Sequence, residues 1–284
     1  MPGPEWHAPR SLDEALELRA RLGLEAPVVA GGTFIGILTA MRMLQPKAFL
    51  ALRWVPDLDR IELVDGELHL GALVTHRSVE RSPQVAAGWR VLVDTFGTVA
   101  SPRIRNVATV GGVLADADYA SDPPAVLSAL GARVRLRGPA GEREVAVRDL
   151  ILDHYETAIG GDELLLETIV PAAPRHASYT KFRTRSSEDR PCVGVAVAAE
   201  SDDAGRCRDL RVVIGAVAAR PQYLPEICAL AENETLGTEL GREIGERYAA
   251  GVEAISDLRG SEPYRRRIIG VLIRRAIEQM APAA

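Results

Sequence analysis

PVVAGGTFIG, residues 27–36, specifies the first α/β unit of this 284-residue chain. The apolar run at 27–30 predicts a buried strand, and after the two glycines a helix is expected over about residues 34–44. Glycine lets the backbone approach a ligand and adopt positive φ, and the free N–H groups of a helix start favour an anion. The segment therefore suggests a pyrophosphate site. Taken alone, Gly31-Gly32 is explained more simply by an ordinary tight turn, because the dinucleotide pattern GxGxxG is absent.

Helix and strand signals flank this unit on both sides. Ser11 and Glu14 have the spacing of a capping box, and they predict a helix that ends at Gly23. Residues 47–52 predict another buried strand. The first fifty residues thus alternate helix, strand, glycine turn, helix and strand, which indicates a small α/β subdomain with parallel strands.

The pattern changes near residue 55. Asp65-Gly66 lies between two alternating runs and predicts a β-hairpin, and Gly138-Pro139-Ala140-Gly141 predicts a second one. Pro171-Ala172-Ala173-Pro174 marks a boundary. The other elements are helices at about 78–87, 91–99 and 122–130, a strand at 164–170, strands at 179–185, 193–200 and 210–217, and helices at 225–233, 236–254 and 264–280.

These elements indicate an α+β chain in two domains. Residues 1–175 would form the first domain, with an α/β subdomain at about 1–54 and an α+β subdomain at 55–175. Residues 176–284 would form a C-terminal domain in which a three-stranded antiparallel sheet meets a helical bundle.

A second glycine segment, RIRNVATVGG, occupies residues 103–112. Its adjacent glycines again suggest backbone donors, and Thr109 adds a hydroxyl. Arg103 or Arg105 could neutralise a phosphate, although arginines beside a loop are more often surface ion pairs. Two such segments suggest a split pyrophosphate site in which each loop binds one phosphate.

Composition excludes several classes of function. The net charge of −5 gives no basic surplus for a nucleic acid, and the arginines at 265–267 fit a solvated helix face. No apolar run approaches the ~20 residues of a membrane span, and no signal-peptide core precedes the first helix, so a cytoplasmic protein is expected. The sequence shows no metal-site spacing among its histidines and no nucleophile motif. Cys192, Cys207 and Cys228 form no CxxC pair, so we expect buried thiols and no iron–sulfur cluster.

Three further polar residues have two interpretations each. Asp122 before Pro123 fits a helix N-cap, and a carboxylate that accepts from a sugar hydroxyl is the functional alternative. Lys181 fits a solvent-facing strand position. The polar pair Thr75-His76 at the end of a strand either lines a pocket or caps the next helix. Local pattern favours the cap for Asp122 and the solvent-facing position for Lys181.

The order of these segments resembles one family. The chain is similar to the FAD-binding medium subunit of molybdenum hydroxylases, of the carbon monoxide dehydrogenase type, and to the flavin domain of xanthine dehydrogenase. The resemblance covers nearly the whole chain. The motifs that carry it are Ala30-Gly31-Gly32-Thr33, Gly71-Ala72 with Thr75-His76, Ile104-Arg105-Asn106 with Ala108-Thr109-Val110-Gly111-Gly112, Ser121-Asp122, Asp162-Glu163-Leu164-Leu165, Tyr179-Thr180-Lys181-Phe182 and Tyr264-Arg265-Arg266.

The resemblance implies a PCMH-type FAD-binding fold, with FAD between the two subdomains. It places both glycine loops at the pyrophosphate, Asp122 at a sugar hydroxyl, and Leu165 and Lys181 near the flavin. It assigns no catalytic residue and no metal ligand to this chain. The implied FAD contacts are Val29, Ala30, Gly31, Gly32, Thr33, Phe34, Ile35, Gly36, Thr109, Val110, Gly111, Gly112, Val113, Asp122, Leu165 and Lys181.

Two residues depart from the family pattern. Phe34 stands where a polar residue often follows the first glycine pair, and Val113 stands where asparagine often follows the second. Each change removes a possible hydrogen bond to the cofactor.

The implied role is electron transfer. Electrons would come from an iron–sulfur small subunit beside a molybdenum-cofactor large subunit, and FAD would pass them to a quinone, NAD or oxygen. The alternative is a stand-alone flavoenzyme acting on a small molecule, for which His76, His154 and Tyr155 are candidate bases. A flavin-free scaffold protein is a third interpretation, which Phe34 and Val113 keep open.

Overall fold

A parallel three-stranded sheet forms the N-terminal part of the computed structural model, which describes residues 3–186 and 188–280. Its strand order is β1-β3-β2, so the predicted parallel α/β unit is confirmed. The first strand was not predicted, because three residues are too few to show a pattern. The elements are β1 (Glu5–His7), α1 (Leu12–Leu22), β2 (Val28–Val29), α2 (Thr33–Ala40) and β3 (Ala48–Ala51).

Both predicted ends of α1 are confirmed. The Ser11 hydroxyl accepts the Glu14 N–H at 3.2 Å, and Gly23 ends the helix at a φ of 54°. The Glu14 carboxylate accepts from the N–H of Arg10 at 2.8 Å, one residue before the position expected in a capping box.

An antiparallel five-stranded sheet forms the middle of the chain, in the order β4-β5-β10-β6-β7. Both predicted hairpins are present, and Asp65 and Gly66 turn the first with φ values of 50° and 84°. A two-stranded ribbon, β8-β9, lies outside this sheet. The strands are β4 (Ile61–Val64), β5 (Glu67–Gly71), β6 (Arg133–Gly138), β7 (Gly141–Ala146), β8 (Ile151–Asp153), β9 (Glu156–Thr157) and β10 (Leu164–Val170).

Seven short helices pack around this sheet. The single helix predicted at 78–87 is wrong, because the chain forms two helices there. Pro83 has no N–H to continue the first helix, and the Ser82 hydroxyl caps the second by accepting from Val85 at 3.2 Å. The helices are α3 (His76–Arg81), α4 (Pro83–Gly88), α5 (Arg90–Gly97), α6 (Pro102–Arg105), α7 (Val110–Asp116), α8 (Pro123–Ala129) and α9 (Val147–Leu150).

The C-terminal part is an antiparallel sheet with helices on one face. A fourth strand, β14, extends the predicted three-stranded sheet, and its two residues are too short to give a sequence signal. The expected helical bundle is mainly a hairpin of α11 and α12, which approach closely at Gly245, where a Cβ would lie 2.5 Å from the Gly270 oxygen. The elements are β11 (His176–Phe182), β12 (Val193–Ser201), β13 (Cys207–Gly215), β14 (Gln222–Tyr223), α10 (Pro225–Cys228), α11 (Thr238–Gly251) and α12 (Glu262–Glu278).

The helix α8 joins the middle and C-terminal parts. Ala125, Val126 and Leu127 belong to one buried cluster that also contains Ala196 and Val213 from the C-terminal sheet. The apolar core is therefore continuous across residue 175. The division there remains a prediction, and the ends of the predicted domains at 1–2 and 281–284 lie outside the described residues.

Within the described ranges, no helix has the length and apolar character to cross a bilayer. All three cysteines are buried free thiols, as the sequence predicted.

Candidate cofactor site

A cavity of about 660 Å³ lies where the two glycine segments meet. Its size falls within the ~300–1,000 Å³ typical of cofactor and ligand clefts. Of the predicted contact residues, those in its wall are Ala30, Gly31, Gly32, Thr33, Phe34, Ile35, Thr109, Gly111, Gly112, Val113, Asp122, Leu165 and Lys181. Val29, Gly36 and Val110 are not among the described lining residues; Val110 is fully buried in the core.

The first glycine segment presents to this cavity a helix start that no side chain caps among the described residues. Gly32 occupies the N-cap of α2 at a φ of 70°, in the left-handed region, and offers no side chain to accept from the helix's first N–H groups. None of the eight residues described for α2 is buried. The helix therefore lies on the surface with its N-terminus open to the cavity, which suits an anion.

The two segments touch each other. A Cβ at Gly31 would overlap the carbonyl oxygen of Val107 and lie 2.7 Å from its carbonyl carbon. Only glycine allows this approach between two backbones. The proximity that composition could not establish is thus a direct contact between residue 31 and residue 107.

The second glycine segment uses its donors within the protein. Val110 and Gly111 donate to the carbonyl oxygens of Val74 and Ala72, at 2.9 and 3.0 Å, and Gly112 donates to the Thr109 hydroxyl oxygen at 3.0 Å. The expectation that these glycines offer free backbone donors is therefore wrong. The Thr109 hydroxyl hydrogen remains as a donor that this segment can direct to a ligand.

Asp122 does not cap the helix that follows it. Its side chain makes no hydrogen bond to the start of α8 in the described chain. Instead, one carboxylate oxygen accepts from the Tyr179 hydroxyl at 2.6 Å and the other from the Lys181 ammonium at 2.9 Å. The local preference for an N-cap is therefore wrong, because tertiary partners take the carboxylate.

Lys181 does not face solvent, so that local interpretation is also wrong. Its side chain and that of Asp122 are each only 4% exposed. The ammonium also donates to the Thr98 carbonyl oxygen at 3.0 Å. Burial raises the pKa of Asp122, whereas the bonds from Lys181 and Tyr179 favour its anion. The lysine thus stands in the cavity wall as half of a buried ion pair.

Tyr179 is a residue that sequence reasoning missed. It precedes Lys181 by two positions on β11, so both side chains point to the same face of the sheet. A glycine on the neighbouring strand makes room for its ring, since a Cβ at Gly194 would lie 2.5 Å from the Tyr179 hydroxyl. Period-two spacing from the lysine was the signal that could have identified it.

His76 lies in the cavity wall and is only 2% exposed. Thr75 caps α3 by accepting from Ser78 at 3.0 Å, so both alternatives for this polar pair hold. The His76 Nε2 lies 3.2 Å from the backbone carbonyl oxygen of Thr109, while Nδ1 has no partner within the described chain. Burial lowers the pKa of His76 to about 4, which keeps the imidazole neutral near pH 7.

Acidic residues occupy another part of the wall. Asp116 is the last residue of α7, and burial raises its pKa to about 7. Asp118 is paired with Arg190 at 2.5 Å. Of the arginines considered for phosphate, Arg105 is buried and forms an ion pair with Glu80 at 2.9 Å. Its guanidinium therefore has a structural role within the protein and does not face a ligand.

Two stacked aromatic rings line one part of the cavity. The rings of Phe34 and Tyr155 are stacked, with centroids 5.5 Å apart and planes at 13°. His154 is not among the described lining residues and packs edge-on against Tyr119 at 4.9 Å.

Comparison with known families matches the chain in two parts. A family model described as the FAD binding domain in molybdopterin dehydrogenase matches residues 3–173. A second, described as the CO dehydrogenase flavoprotein C-terminal domain, matches residues 177–280.

Similar proteins match over nearly their whole length. The nicotine 6-hydroxylase medium subunit of Paenarthrobacter nicotinovorans is 31% identical, covering 98% of this chain and 97% of that protein. The carbon monoxide dehydrogenase medium chain of Afipia carboxidovorans is also 31% identical, over 97% and 96% of the two chains.

Solved structures show the same fold. A chain of Cu,Mo-CO dehydrogenase in its cyanide-inactivated form has a TM-score of 0.92 at 30% identity, covering 99% of this chain and 98% of that one. A chain of quinoline 2-oxidoreductase from Pseudomonas putida 86 has a TM-score of 0.90 at 29% identity, covering 97% and 96%.

Proposed function

The chain belongs to the family of FAD-binding subunits of molybdopterin dehydrogenases, and from this premise we propose that FAD occupies the cavity between its glycine segments. The protein is an FAD-containing medium subunit of a molybdenum hydroxylase-type dehydrogenase. The observation that carries the proposed location is the contact of Gly31 with Val107, which brings both segments to one cavity.

The residues present fit a dinucleotide. The start of α2 leaves N–H groups open where a pyrophosphate would bind, and Gly32 keeps that surface free of side chains. The Thr109 hydroxyl supplies a donor from the other segment. Apolar wall residues such as Ile35, Val113 and Leu165 provide the surface that flat rings need.

We propose different roles for the two members of the buried ion pair. A carboxylate has lone pairs beyond the two that Tyr179 and Lys181 use, so Asp122 can accept from a sugar hydroxyl. FAD accepts electrons singly or in pairs and supplies the redox chemistry. The Lys181 ammonium donates to the Asp122 carboxylate and to the carbonyl oxygen of Thr98, and a cation paired in this way stabilises nearby negative charge less than a free cation would.

The proposed partners are a molybdenum-cofactor large subunit and an iron–sulfur small subunit. The support is that relatives matched over nearly their whole length are named as the medium subunit of nicotine 6-hydroxylase and the medium chain of carbon monoxide dehydrogenase. Electrons would enter from the iron–sulfur partner and leave to an external acceptor. We place the assembly in the cytoplasm, supported by three buried free thiols, since disulfides are rare in that compartment.

Titration of the purified chain with FAD tests the proposed cavity. We expect one FAD per chain, seen as quenching of flavin fluorescence and as bound flavin in the visible spectrum. Asp122→Asn should weaken binding about tenfold, because a buried charged acceptor is lost. Asp149→Asn is the matched control, since this carboxyl is 66% exposed outside the cavity.

Absence of flavin binding by the folded chain would contradict the proposal, as would equal affinity in the Asp122 variant and its control. Electron relay needs a second experiment on the assembled complex. Substrate should reduce the flavin only when the molybdenum and iron–sulfur subunits are present. Direct reduction of the isolated chain by a small substrate would contradict the relay.

A further inference from the structure

The stacked rings of Phe34 and Tyr155 connect two separate parts of the cavity wall. Phe34 is the second residue of α2, and Tyr155 lies in the turn between β8 and β9. Both rings line the cavity, and Tyr155 is 54% exposed, so the pair lies where the cavity meets solvent. The stack therefore bridges the rim of the cavity from one subdomain to the other.

The turn that carries Tyr155 is held by contacts with Ala117 and Tyr119. Tyr155 has a φ of 59°, in the left-handed region, and its N–H donates to the Ala117 oxygen at 3.2 Å. The preceding residue, His154, packs edge-on against Tyr119 with planes at 88°. The backbone bond and the neighbouring ring thus hold the turn that carries Tyr155.

Tyr119 is in turn bound to the C-terminal part. Its hydroxyl donates to Asp257 at 2.9 Å, and the Arg259 guanidinium lies 5.2 Å from its ring centroid. Asp257 also accepts from Arg265 at 2.6 Å. Arg265 is fully buried and donates to the Ala216 oxygen at 2.9 Å, so the solvated helix face predicted for this arginine is wrong. The arrangement anchors the turn to the C-terminal core.

We propose that Phe34 and Tyr155 form an aromatic latch that closes the cavity over the bound dinucleotide and slows its release. A ligand that leaves the cavity past this pair can do so only when the two rings separate. Their centroids are 5.5 Å apart, too close for a third ring to lie between them. This inference rests on the proposed binding of FAD in this cavity.

The rate of FAD release from the full-length chain tests the latch. Release is followed by the return of free flavin fluorescence after the FAD-loaded chain is diluted far below its dissociation constant for FAD. Tyr155→Ala and Phe34→Ala should each accelerate release about 3- to 10-fold, as loss of one aromatic pair predicts. Tyr155→Phe is the matched control, because it keeps the ring and the same backbone conformation, and its release rate should stay at the wild-type value.

Two further measurements separate a latch from a general loss of structure. The double variant should release FAD no faster than the faster single variant, because both changes remove the same contact. Iodide should quench the bound flavin more in both alanine variants. Phe34 lies on a helix without buried residues, so its variant provides the test even where Tyr155→Ala does not fold.

Release rates within twofold of wild type in both folded variants would overturn the latch and leave FAD binding intact. A wild-type chain that binds no FAD would instead overturn the proposed function. Equal acceleration by Tyr155→Phe would also contradict the latch, since that variant retains the stack.

Discussion

Both glycine segments allow close contact between backbones, but only one leaves its donors free. At the first, Gly31 contacts the backbone of Val107, while the start of α2 lies on the surface with no side-chain cap from the part of the chain that the structure describes. At the second, a Cβ on Gly111 would lie 2.7 Å from the Ala72 Cβ, and the Gly111 N–H is bonded to the Ala72 oxygen. The first segment can bind an anion, whereas the second fixes a buried helix against the central sheet.

The difference shows that an adjacent glycine pair in a sequence indicates only that another group comes close to the backbone there. Whether a ligand or the protein makes that approach depends on what lies across from the N–H groups. For α7, Ala72, Val74 and Thr109 supply acceptors from within the fold. For α2, the cavity lies opposite the N–H groups of the helix start, so a ligand can supply the acceptors.

Insertion of a methyl group should separate the two roles most clearly. Gly111→Ala forces a Cβ into the Ala72 backbone in the core and should lower the free energy of unfolding by about 3 kcal/mol. Gly31→Ala should push the two segments apart and reduce FAD affinity on the order of 100-fold, with a smaller loss of stability, because α2 buries no residue among those described. Urea unfolding and FAD titration measure the two effects. If the Gly111→Ala and Gly31→Ala variants lost the same stability and bound FAD equally well, the two segments would not have different roles.

The second segment is also coupled to a titrating residue, His76. Its folded pKa of about 4 lies below the unfolded value of about 6.5, so the stability from the neutral ring is present above pH 6.5 and lost as pH falls toward 4. Between pH 7.5 and pH 4.5, wild type should lose about 2–3 kcal/mol more than His76→Gln. Urea unfolding at both pH values measures this difference. A parallel loss in the two proteins would show that His76 is not buried neutral.

Thr109 supplies the hydroxyl that caps α7. Thr109→Ala removes the acceptor of the Gly112 N–H and should cost about 1 kcal/mol of unfolding free energy, while Thr109→Ser should retain it. Thr33→Ala, at the first residue of α2, should leave stability nearly unchanged because the N-cap of that helix is Gly32 and not the threonine. Thermal unfolding of the three variants checks the contrast. A larger loss of stability in the Thr33→Ala variant than in Thr109→Ala would contradict this prediction.

The smallest effect is expected at Gly36. It was predicted as a cofactor contact, but it is absent from the described cavity lining, and a Cβ there meets no atom within 4 Å. Gly36→Ala should raise the unfolding free energy by up to about 1 kcal/mol, since alanine favours a helix interior. FAD affinity should not change. Weaker FAD binding in this variant would extend the binding role of the first segment beyond Gly31-Gly32.

Strong local signals in the sequence predicted most of the helices and strands, and the elements that were missed give only weak signals. Asp65-Gly66 specified its hairpin because the turn demands positive φ at both residues. Pro83 divided a predicted helix in two, although its missing N–H was visible in the sequence. The strands β1 and β14, with three and two residues, form only because longer neighbours offer them partners.

The site was less predictable than the fold, because its polar groups are paired across long sequence separations. Asp122 followed by Pro123 has the local pattern of a cap, yet its partners come from β11, more than fifty residues later. Lys181 looked solvent-facing for the same reason. Resemblance brought both residues to the site, and the ion pair between them was visible only in the structure.

The shared core around α8 also limits how the gene can be divided. A fragment that stops at residue 175 would lose Ala196, Ala198 and Val213, which cover the apolar face of α8. It would also lose Lys181 and Tyr179, leaving the buried Asp122 without either partner. Such a fragment would present an uncovered apolar surface and a stranded carboxylate, and would tend to aggregate during expression. Engineers who want a portable flavin module from this chain should therefore keep at least the strands β11 to β13 with it.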